Sequence, residues 1–264
     1  MVVLRVLLAA SLLSAVACSS VSPDTSMDGN GAGPDAGAIQ PPTGAVGTTV
    51  FVHTRDTLYT VNDINFDLVH IGEFGVEDSI TDLAITPDGR LFGISGEALY
   101  QINATTGAAT FVADVPGVLN VGLTFLPNGQ LLATDKEGGV REISPDTGAV
   151  TEVGKFGGNF GTAGDLVAVA DGTMFAIGEF QDESPGDSDL LLTVNTGDGV
   201  AEYVGQIGYG DVFGTAFANG RVYAFTSTGQ IIEISPTTGI GVLVRSHPDI
   251  SFWGAAVTPL VSVE

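Results

Sequence analysis

The chain has 264 residues, 44% of them hydrophobic, enough to fill one large core or two small ones. Its 31 acidic residues outnumber 8 lysines and arginines, for a formal charge of −23, so a nucleic-acid backbone would be repelled and no nucleic-acid partner is expected. Lysine, a helix former, is nearly absent, while 37 glycines punctuate short runs rich in valine and threonine, which predicts an all-β protein.

In chain order the first feature is Arg5 followed by the apolar run VLLAASLLSAVA, too short to span a bilayer but matched to the hydrophobic region of a secretory signal. The run ends at Cys18, the single cysteine of the chain. The stretch AVAC (15–18) resembles the lipobox of bacterial lipoproteins. That resemblance implies a signal peptide over residues 1–17, a diacylglyceryl group on the Cys18 thiol and a stable anchor made by two or more acyl chains. Ser19 after the lipidated position implies, by the same resemblance, the outer membrane of a diderm bacterium. Residues 18–47 are rich in Gly, Pro, Ala, Asp and Ser with almost nothing to bury, so they are expected to be a disordered tether. Its mean reach would be about 30 Å. Residues 48–264 then form the folded domain, which without a second cysteine must rest on packing and strand hydrogen bonds.

That domain is written in repeats. One family of turns reads PDG (87–89), PNG (127–129), ADG (170–172) and ANG (218–220); a second reads ATTG (104–107), PDTG (145–148), NTGDG (195–199) and PTTG (236–239). The two families alternate, with glycines stepping by 40, 43 and 48 residues in the first and, counted on Gly197, by 41, 49 and 42 in the second. This is the period of a four-stranded propeller blade. Within one unit the strands are a (ITDLAIT), b (RLFGIS), c (ALYQIN) and d (ATFVADV). The ends complete one another: TTVFVHT, TLYTVND and DLVHIGEF, over residues 48–74, supply b, c and d, and SFWGAAVTP, near the C-terminus, supplies the missing a. The expected architecture is a β-propeller of about five four-stranded blades closed by pairing the last strand with the first, which leaves the ring no open edge. A β-solenoid is the rival, but its rungs have no need of complementary ends.

The stretches LYQINATTGAATFVADV and ITPDGRLFGI resemble repeats of secreted bacterial propellers of the NHL, YVTN and SMP-30-like type. The SMP-30-like resemblance implies one functional alternative, a calcium-dependent hydrolase or lactonase with a metal in the channel. Aligning the units puts Asp82, Gly122, Asp165, Gly214 and Gly254 at one level of that channel. Asp82 and Asp165 are therefore candidate Ca²⁺ ligands, with Asp78, Asn120 and Asp211 near enough in sequence to contribute; the competing reading is that the carboxylates bind inter-blade backbone amides. No nucleophile motif, thiol site, Walker loop or zinc spacing is present, and His53, His70 and His247 read as packing or surface residues. Aromatic residues gather near the loops that lead into strand a. Phe213 and Phe252 read as blade packing, whereas Trp253, Tyr209, Phe160 and the acidic Asp211 are the ligand-binding candidates. An acidic insertion, FQDESPGDSD (180–189), lengthens the fourth blade. The leading functional expectation is a membrane-tethered extracytoplasmic propeller that binds a protein, peptide or glycan without catalysis; a structural part of an envelope assembly is a further alternative.

Overall fold

In a computed structural model, residues 48–262 are described except 118–119 and 183–187. The expected signal peptide, Cys18 and the tether lie outside the described residues. Twenty strands form five four-stranded antiparallel sheets. Blade 1 holds β1 (Val50–His53), β2 (Thr57–Val61) and β3 (Leu68–Glu73), and blade 2 holds β4 (Asp82–Ile85), β5 (Leu91–Ile94), β6 (Ala98–Ile102) and β7 (Ala109–Asp114). Blade 3 contains β8 (Asn120–Phe125), β9 (Leu131–Asp135), β10 (Gly139–Ile143) and β11 (Val150–Lys155). Blade 4 contains β12 (Phe160–Ala168), β13 (Met174–Phe180), β14 (Leu190–Val194) and β15 (Ala201–Gln206), and blade 5 contains β16 (Val212–Ala218), β17 (Arg221–Thr226), β18 (Gln230–Ile234) and β19 (Gly241–Ser246). The last strand, β20 (Gly254–Ala256), is the inner strand of blade 1 and pairs with β1 through Phe51↔Ala256, Val52↔Ala255 and His53↔Gly254. The protein is a five-bladed β-propeller closed by its own termini.

Burial falls from the axis outward, and the sequence pattern follows it. The inner strands β4 and β5 are buried at every position, so they read as continuous apolar runs, whereas the outer strands β3 and β7 expose residues on both faces. The core lies between blades: Leu83, Ile85, Leu91 and Ile102 of blade 2 pack with Phe51, Leu58 and Ala256 of blade 1.

Neighbouring blades are stitched at their outer strands. The carbonyl after β3 at Phe74 accepts the Ala109 N–H (2.8 Å), and the same link recurs from Ala201 to Phe156 (2.9 Å) and from Gly241 to Ile207 (2.9 Å). Here the glycines Gly72, Gly154 and Gly205 let the strand touch the carbonyl of the next blade's c–d turn, at Thr106, Asp198 and Thr238. The seam from blade 5 to blade 1 is built differently: Arg245 pairs with Asp67 (2.8 Å), His247 Nε2 meets the Phe66 carbonyl (2.9 Å), and Phe66 itself takes φ 59° where the other turns use glycine. In blade 4 the turn closes on Gly199 (φ 74°), not Gly197, so the sequence alignment was two residues out there. Gly199 packs against the backbone of Gly154 and Lys155, which selects it.

Candidate functional site

The inner strand of each blade has a sheet neighbour on one side only, so the N–H groups on its channel edge need other acceptors. Register places the aligned positions at one level: Asp82 opposite Ile94, Gly122 opposite Thr134, Gly214 opposite Phe225 and Gly254 opposite His53. Asp165 lies in the irregular stretch of β12 between Thr162 and Leu166. Asp82 accepts the N–H of Leu83 at Oδ1 (2.8 Å) and, across the blade boundary, that of Leu123 at Oδ2 (2.7 Å). Asp165 accepts Leu166 N–H at Oδ1 and, again across a boundary, Thr215 N–H at Oδ2 (2.7 Å). The Ala255 N–H of the closing strand stabilises Asp165 as well. Two side chains thus gather amides from all five blades.

The three glycines at this level leave no space for a side chain of their own. A Cβ on Gly254 would fall on Asp82 Oδ1 and His53 Nε2, one on Gly122 would sit 2.6 Å from Thr134 Oγ1, and one on Gly214 would sit 2.7 Å from the Gly254 backbone. Asp82 and Asp165 are fully buried. Burial raises the Asp82 carboxyl well above the usual carboxylate range, and the charge and hydrogen bond of Asp165 raise it further. Burial pushes Asp165 up to about 7, against the opposing pull of hydrogen bonds from Asp82 and the amides of Thr215, Leu166 and Ala255. His53, also fully buried, is pushed down to about 4 by burial; its Nδ1 donates to the Thr54 carbonyl (2.7 Å), which leaves Nε2 an acceptor beside Asp82 with no hydrogen-bond partner.

This donor set does not fit a calcium ion. The cation needs six to eight oxygens, but the oxygens of Asp82 and Asp165 face N–H groups. The other acids and amides suggested by sequence do not join them. Asp78 is exposed and accepts the Tyr100 hydroxyl (2.5 Å), the buried Asn120 has a side-chain Nδ2 with no hydrogen-bond partner, and Asp211 is exposed at φ 57°. Among the described residues no three His, Cys, Asp or Glu side chains could hold a metal together.

The remaining candidates lie on the face formed by the d–a and b–c loops, and among the described residues no ring contact joins them. Trp253 is half-buried and its backbone N–H binds the His53 carbonyl (2.8 Å). The Tyr209 hydroxyl is turned to the outer strand, where it accepts Leu243 N–H (3.3 Å). Phe160 opens a row across blade 4, with ring centroids 5.7 Å from Phe180, which in turn lies 6.2 Å from the half-exposed Tyr203. Asp189 of the insertion accepts Val212 N–H (2.9 Å); its carboxyl is pushed up to about 6 by burial, with help from the nearby acids Asp211 and Glu179. Phe252 is buried against Phe225 as expected, but Phe213 is exposed, because a bulge between Val212 and Gly214 turns it out of the sheet.

His53, Phe180 and Tyr203 were missed in the sequence. His53 had a signal: the expected closure places it opposite Gly254. Phe180 and Tyr203 had none, since they meet Phe160 only across strands.

No protein-family model and no curated protein matches the chain. Solved structures do. A chain from the crystal structure of the nidogen/laminin complex is 12% identical, with a TM-score of 0.56 over 80% of this chain and 98% of that one. A chain from a study of the de novo evolutionary emergence of a symmetrical protein is 17% identical, with a TM-score of 0.51 over 81% and 100%. At these identities the likeness is one of fold: what the chain shares with both is the β-propeller.

Proposed function

We propose that the protein is a non-catalytic binding or scaffold module, tethered to the cell envelope through a lipid on Cys18 and presenting the face formed by its d–a and b–c loops to a protein, peptide or glycan. The observation that carries this reading is at the channel centre: its acids are bound to the propeller's own amides, which leaves partner binding to the loop faces. Thr48, the first described residue, binds Asp63 in the c–d turn of blade 1 (3.1 Å), so the folded domain begins on the c–d turn side, opposite the d–a loops that carry Trp253, Phe160 and Asp211. The nidogen/laminin chain of similar fold comes from a protein–protein complex, a use of the propeller in keeping with this proposal.

Trp253 is the single tryptophan, so its fluorescence reports on this face. Titration with glycan and peptide panels should shift its emission for one class, and Trp253→Ala should weaken that binding at least tenfold. Affinity unchanged in Trp253→Ala and in Phe160→Ala would remove the face from consideration. Labelled palmitate should enter the full chain and not Cys18→Ser, which should be released from membranes.

A further inference from the structure

We infer that the channel centre is a proton site in place of a cation site: Asp82 and Asp165 share one proton and together cap the ring of inner-strand amides that closes the propeller. The argument starts from symmetry. Five inner strands bring one N–H each to the same level, at Leu83, Leu123, Leu166, Thr215 and Ala255, and the acceptors offered there are the two carboxyls. A ring of donors holds carboxyl oxygens and opposes a cation. Two carboxylates in contact and out of water cannot both be ionised, so one keeps its proton and donates it to the other.

The assignment is asymmetric. Asp165 faces three amides and Asp82 two, so the negative charge is better placed on Asp165 and the proton on Asp82. The titratable groups that face the pair are these two acids and, from β1, the neutral His53; β8, β16 and β20 present glycine at this level. The sign of the pH effect follows. Both carboxyls bind their protons more tightly in the folded chain than in the unfolded one, so their contribution to stability is fully present below about pH 4 and is lost as pH rises through 7 and beyond.

The test is thermal melting of the full chain against pH, with and without millimolar Ca²⁺. The wild-type melting temperature should fall by roughly 5 °C or more from pH 5.5 to 8.5, with no rise on adding Ca²⁺. Asp82→Asn, which keeps a donor toward Asp165 without an ionisable proton, should flatten that fall, whereas Asp165→Asn should lower the melting temperature at every pH. A wild-type slope retained in Asp82→Asn, or a Ca²⁺-dependent rise that Asp82→Asn abolishes, overturns the inference. Should either variant fail to fold, infrared spectroscopy of the wild-type chain decides. A protonated-carboxyl band still present at pH 8 supports a shared proton, and its absence there refutes it.

Discussion

At the scale of single residues, the axis holds groups that are out of place by ordinary rules: two acids and a histidine, all fully buried. They are tolerated because each is neutral or hydrogen-bonded. His53 makes the opposite demand from the acids. Its folded value lies near 4, below the ordinary 6.5, so the stability it contributes is present above pH 6.5 and is lost as pH falls toward 4. The loss at the acid extreme is up to about 3 kcal/mol. His53→Gln, neutral at every pH, is expected to be less stable than wild type at pH 7 but to lose less between pH 6.5 and 4; parallel acid melting curves for the two chains would refute this.

At the scale of elements, the repeat couples a turn in one blade to a strand in the one before it. Gly154 in β11 touches the Asp198 carbonyl of the next blade, with no room for a side chain. Gly89, in an a–b turn at φ 88°, has open space around it. The two glycines are needed for different reasons, one for close approach and one for backbone conformation. Gly154→Ala should therefore cost the larger amount, roughly 2–4 kcal/mol by forcing two blades apart, and Gly89→Ala about 1 kcal/mol. Urea unfolding of both variants checks the order; equal costs would mean that the seam yields freely.

At the scale of the whole molecule, closure is the decisive contact. The three residue pairs between β20 and β1 join the ends, and the same strand supplies Gly254 and Ala255 to the axial ring. Removing residues 250–264 would expose the inner edge of β1 and take the Ala255 amide from Asp165, besides uncovering Phe225 by loss of Phe252. The truncated chain is expected to lose its cooperative melt and to aggregate through the open edge. A sharp transition within a few degrees of the full chain, read by circular dichroism, would show that the ring does not depend on closure.

The sequence by itself determined the class, the number of blades and the complementary ends, because turn glycines and apolar strands are local signals that recur with each blade. It also placed Asp82 and Asp165 at one level of the channel, since register within a blade follows from the turns. What those acids face, only the tertiary structure decided. The amides of Leu123 and Thr215 come from other blades, 41 and 50 residues along the chain, and a backbone N–H leaves no mark in a sequence. His53 beside Asp82 and the charged seam between blades 5 and 1 have the same origin. Each is a contact made by closing a ring, and its partners are set by geometry across blades in place of neighbours along the strand.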